Sequence, residues 1–78
     1  MVHFTFFQAS GKEEPITSAR AGAITPAGAD QPLTLIRFDQ GHFAANLRLT
    51  PGRWTFGIDG VPARGQPMSG YFSQAIRP

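Results

Sequence analysis

The chain has 78 residues, a formal net charge of +2 and no cysteine, which excludes disulfides, thiolate metal sites, iron–sulfur clusters and cysteine nucleophiles. That length makes one small domain, residues 1–78, and a domain of this size buries only about 60–65% of the surface its unfolded chain exposes. Seven Phe, one Trp and one Tyr supply the bulk for a core, and nine Gly and seven Pro punctuate the apolar runs between them.

In chain order, Val2 to Phe7 is β-rich, with Val2, Phe4 and Phe6 on one face and His3, Thr5 and Phe7 on the other. Side chains of a strand alternate between faces, so this spacing predicts a half-buried strand. Ser10 to Pro15 is a polar loop. Ile16 to Thr25 reads as a strand despite its alanines, because Gly22 lies inside it and Pro26 ends it. Pro26 to Pro32 is an irregular connection, and Leu33 to Phe38 is the next strand. Asp39-Gln40-Gly41 then turns the chain as a three-residue hairpin loop, with Gly41 at the left-handed position.

The clearest pattern runs from Gly41 to Gly60. Phe43, Ala45, Leu47 and Leu49 share one face. After Pro51-Gly52, Trp54, Phe56 and Ile58 share another. The spacing predicts two antiparallel strands joined at Thr50-Pro51-Gly52-Arg53, where Gly at the third position suits a type II turn. Arg48 and Arg53 are expected to come close across it. Asp59 to Pro67 is a turn-rich loop, with Asp39 and Asp59 as turn formers, and Tyr71 to Ile76 closes the chain.

About six short strands, three of them in a meander, predict an all-β fold: a small immunoglobulin-like β-sandwich, or else a partly open barrel. Phe4, Phe6, Ile36, Phe38, Phe43, Leu47, Trp54, Phe56, Ile58 and Phe72 are the expected core. Trp54 alternates with Phe56 and Ile58 and so reads as a core residue; exposed, it would instead stack on a sugar or a partner.

The segments Gly41-His42-Phe43, Leu47-Arg48-Leu49 and Pro51-Gly52-Arg53-Trp54-Thr55-Phe56 resemble the hairpin of the YtkA-like and FixH-like domains. The resemblance covers about a quarter of the chain. It implies an extracytoplasmic, immunoglobulin-like accessory domain linked to copper handling or membrane-complex assembly. No methionine-rich or histidine-rich motif accompanies it.

Copper directs attention to His3, His42 and Met68, since thioether sulfur suits Cu(I) and imidazole suits either oxidation state. An amine at the chain start beside His3 would add a nitrogen donor for Cu(II). The alternative is two exposed, unrelated histidines and a packing methionine, because metal sites normally converge three or four ligands. Ser69, His42 and Asp39 make a catalytic triad on paper only, with no nucleophile elbow and no oxyanion loop. The chain is therefore read as non-enzymatic.

Arg20, Arg37, Arg48, Arg53, Arg64 and Arg77 are scattered, unlike the concentrated base of a nucleic-acid footprint. No run approaches the roughly 18 apolar residues of a spanning helix, so no direct membrane insertion is expected of this chain. Met1 to Phe7 lacks the basic and apolar regions of a secretory signal. Either the protein is made without a leader, or it is a module of a longer exported or membrane-tethered chain.

The second function class is a protein–protein interaction module that docks a partner or a second copy by a sheet edge or by loops. Val2 to Phe7 is the expected edge: it is terminal, β-prone and free of charge.

Overall fold

The computed structural model describes residues 1–78. Seven strands follow one another without a helix: β1 (Val2–Thr5), β2 (Ile16–Ile24), β3 (Asp30–Leu33), β4 (Ile36–Asp39), β5 (His42–Ala45), β6 (Gly52–Pro62) and β7 (Met68–Ile76). They form two antiparallel sheets, one in the order β1-β5-β4 and the other in the order β3-β2-β6-β7. The sheets pack face to face, so the fold is a small β-sandwich and not a closed barrel.

Alternation decides what lies between the sheets. Phe4 and Phe6 of the β1 segment, and Phe43 and Ala45 of β5, turn inward from the three-stranded sheet. Ala23, Trp54 and Phe56 turn inward from the other. Phe4 meets Phe56 edge-on at 6.5 Å between ring centroids, and Trp54 stacks on Phe56 at 6.1 Å. Phe6, Ile16 and Phe43 make a second cluster, with Phe6 edge-on to Phe43 at 6.2 Å. Ile16 is out of phase with Ala21 and Ala23, yet it is buried. A bulge between Ile16 and Ser18 inserts one residue into β2 and restores it to the inner face.

Four expectations are corrected. First, Leu33 to Phe38 is not one strand. Residues 30–33 belong to β3, residues 36–39 belong to β4 in the opposite sheet, and Thr34-Leu35 carries the chain across. The count is therefore seven. In LTLIRF both alternate sets are apolar, so periodicity cannot choose between them. Leu33 and Leu35 pack on the core, while Ile36 and Phe38 face outward at 44% and 54% exposure.

Second, β5 and β6 do not pair, so Pro51-Gly52 is not a hairpin turn, no three-strand meander exists, and no ladder sets Arg48 against Arg53. Residues 46–51 arch from one sheet to the other instead. Leu47 and Leu49 pack on the Phe4–Trp54–Phe56 cluster, and the Trp54 indole N–H donates to the Thr50 carbonyl at 2.8 Å. The faces were readable, but alternation reports which side a residue faces and not which strand lies beside it. Gly52 does take a positive φ of 124°, at the point where the arch enters β6.

Third, Gly41 is not left-handed. It is needed for close approach, because a Cβ there would collide with the Glu14 carbonyl oxygen and the Glu13 side chain. Fourth, β6 runs on to Pro62, and β7 begins at Met68. Asp59 is thus a mid-strand residue opposite Ser69, whose hydroxyl donates to it at 2.7 Å. Asp39 does keep a turn role, accepting the Gln40 amide at 2.8 Å. Phe72, expected in the core, is 44% exposed at the rim.

Candidate functional site

The sandwich has four edge strands, and they are unequal. On one side lie β3 and β4, joined by the Thr34-Leu35 crossing. β3 carries Asp30 and Pro32. β4 carries Arg37 and Asp39, with a bulge between them. Charge, proline and bulges are the devices that stop edges from pairing with other chains. The remaining edges, β1 and β7, have none of these: VHFT and MSGYFSQAI contain neither a charged residue nor a proline.

These two unguarded edges flank one groove of about 320 Å³, lined by His3 to Phe7 on one wall and by Ile58 and Met68 to Phe72 on the other. Its floor is aromatic. Phe72 stacks on Phe56 at 5.0 Å and reaches Phe4 across the gap at 6.0 Å. Tyr71 is 82% exposed and Phe7 59% exposed at the rims.

The direction of the β1 backbone follows from one hydrogen bond. The Phe6 amide donates to the Gly41 carbonyl at 2.9 Å, in line with the register that sets Phe4 opposite Phe43 and Val2 opposite Ala45. In an antiparallel ladder, alternate residues turn both polar groups toward the same neighbour. Val2, Phe4 and Phe6 therefore face β5, and His3, Thr5 and Phe7 present N–H and C=O to the open side.

The outer face of the same sheet holds a second feature. His3 lies opposite Ala44 and diagonal to His42, and the His3 Nδ1 and His42 Nε2 atoms are 2.8 Å apart. One ring N–H donates to the bare nitrogen of the other. Phe38, two residues on from the outward Ile36, completes a three-ring cluster, 5.8 Å from His3 and 5.4 Å from His42.

Of the residues singled out from the sequence, His3 and His42 are thus brought together. Met68 is not: it stands on the opposite wall of the groove and packs against the Phe6–Ile16–Phe43 cluster. No group of three or more His, Cys, Asp or Glu side chains converges anywhere. Ser69 bonds Asp59, His42 bonds His3, and Asp39 holds its own turn, so the paper triad is not assembled.

Two structural residues escaped the sequence reading. Arg37 looked like a solvated arginine, yet its guanidinium sits 4.6 Å above the Phe43 ring and donates to the carbonyls of Gln40 at 3.0 Å and Thr17 at 3.3 Å, tying β4 to β2. Glu13 looked like a loop carboxylate, yet it accepts the Gly41 amide at 2.6 Å. Neither contact is encoded by local spacing, since the partners lie 20 and 28 residues away. Tyr71 could be placed on a strand, but only the topology puts it at a groove.

Comparison with protein-family models, with curated proteins and with solved structures finds no match to this chain.

Proposed function

We propose that this chain is a non-enzymatic interaction domain that accepts an uncharged, extended polypeptide strand along β1, over the groove between β1 and β7. The observation that carries this reading is the distribution of edge protection. The two edges without charge, proline or bulge lie on the same open side, around an aromatic floor, while the other side is guarded and covalently crossed. Strand addition uses such a site well: backbone groups give affinity, and alternate side chains fill the groove.

The strand order supports an immunoglobulin-like assignment within this proposal. Reading β1 to β7 as strands B, C, C′, D, E, F and G gives the sheets B-E-D and C′-C-F-G, and the free side of β1 is then the position where strand A lies beside B. An extracytoplasmic accessory role, in membrane-complex assembly for instance, rests on the resemblance of Gly41-His42-Phe43, Leu47-Arg48-Leu49 and Pro51 to Phe56 to the YtkA-like and FixH-like segment.

A soluble test peptide decides the reading: alternating Thr and Phe over five residues, flanked by lysines, titrated into isotopically labelled protein. Amide shifts should move at His3, Thr5, Phe7 and the groove side of β7. No binding, or shifts centred on β3 and β4, would overturn the proposal.

A second reading is favoured by the 2.8 Å approach of His3 Nδ1 to His42 Nε2. Two convergent imidazoles form a donor pair suited to Cu(I), and they fall short of the three or four ligands typical of Cu(II) or zinc centres. His3 and His42 would hold the ion, without Met68. Calorimetric titration should then give Cu(I) binding that is abolished in His3→Ala and in His42→Ala. Absent heat, or equal binding by the double variant, rejects copper.

A further inference from the structure

We infer that the strand β1 accepts is β1 of a second copy, paired antiparallel about a two-fold axis at Thr5. This inference rests on the strand-accepting edge proposed above and names its occupant.

The sequence of β1 and its extension is what selects a copy of itself. From His3 to Phe7 it reads ring, Phe, Thr, Phe, ring, the same in both directions about Thr5. A dyad at Thr5 sets Thr5 against its symmetry mate, His3 against Phe7 and Phe7 against His3. These are the three residues whose amides and carbonyls face the open side. Each facing pair of this type exchanges two hydrogen bonds, so about six form and every free group between His3 and Phe7 is used.

Side chains fall into place in the same register. Inward, Phe4 and Phe6 of the other copy, each already buried in its own core, fall opposite each other, so the row of inner rings continues from one copy to the next. Outward, the exposed Phe7 ring packs on the His3 imidazole. Aromatic cross-strand pairs of this kind are favourable. Electrostatics adds no obstacle, although each copy carries a net charge of +2, because Val2 to Phe7 contains no Lys, Arg, Asp or Glu. The result is a six-stranded sheet, β4-β5-β1-β1-β5-β4, in which the only outer edges are the guarded β4 strands. Isologous closure of this kind stops at two copies on this sheet.

Thr5→Lys tests the register, because the dyad sets the two new ammonium groups directly opposite each other, where like charges destabilise a pair. Thr5 is exposed in the single chain, so its fold should tolerate the change, and an unaltered melting curve at dilution checks that. Sedimentation equilibrium of the wild type should show a monomer–dimer system. Thr5→Lys should weaken it at least about tenfold, Thr5→Val should leave it intact, and Gln31→Lys on β3 should have no effect. A wild type that stays monomeric at millimolar concentration, or a dimer indifferent to Thr5→Lys, overturns the inference. If the test peptide still binds in either case, the strand-accepting edge stands and only the second copy is retired; if it does not, both fall.

Discussion

Replacing Trp54 by Ala removes the largest side chain shared by the two sheets. Trp54 is 3% exposed, stacks on Phe56 at 6.1 Å and donates to Thr50 at 2.8 Å. A buried tryptophan hides about 200 Å², which at roughly 25 cal/mol per Å² is worth up to about 5 kcal/mol. The range seen for Trp or Phe truncation in cores is about 3–5 kcal/mol, cavity included. Loss of the indole bond adds little, since Thr50 is exposed and water can take its carbonyl. Against a total of about 4–12 kcal/mol for a chain this long, Trp54→Ala should remove from about a quarter of the stability to all of it. Urea unfolding followed by far-ultraviolet circular dichroism measures this without the lost fluorophore. Trp54→Phe should keep most of the stability. A Trp54→Ala variant within 1 kcal/mol of the wild type, about one unit of ordinary mutational noise, would refute the placement of this ring between the sheets.

Gly60→Ala should destabilise by about 1–3 kcal/mol through overpacking, because its Cβ would lie 2.6 Å from Phe6 Cζ; Phe6→Leu should relieve part of that cost, read as non-additivity in a double-mutant cycle. Arg37→Lys should lose about 1 kcal/mol or more by denaturation, since an ammonium cannot stack on Phe43 and reach two carbonyls as the guanidinium does; stability equal to wild type would show the bridge to be idle. His42→Ala should cost no more than about 1 kcal/mol, because its bond to His3 is solvent-exposed, so any loss of Cu(I) binding in that variant is a loss of ligand and not of fold.

Much of the sandwich was legible because a half-buried strand announces its inner face locally. Phe4, Phe6, Phe43, Trp54 and Phe56 were placed from period-two spacing alone, and all five are buried. Neighbour relations were not legible. Pro51-Gly52 looks the same whether it folds β6 back beside β5 or delivers it to the opposite sheet, and Leu47 and Leu49 face inward in both cases. Ile36 and Phe38 were misplaced because the strand crosses between sheets at Thr34-Leu35, where inner and outer exchange. The histidine pair was half legible: both rings were assigned to outer faces, but their meeting required β1 to lie beside β5. The groove was not legible at all, since it is made by two strands at opposite ends of the chain.

The most direct test of the account is amide hydrogen exchange along β1 at two concentrations. In dilute solution Val2, Phe4 and Phe6, bonded toward β5 and its turn, should exchange slowly, while His3, Thr5 and Phe7 exchange fast. At high concentration the second set should become protected, and β3 and β4 should not change. Protection of His3, Thr5 and Phe7 in the dilute monomer would contradict the account, because it would mean that the edge is already covered within its own fold.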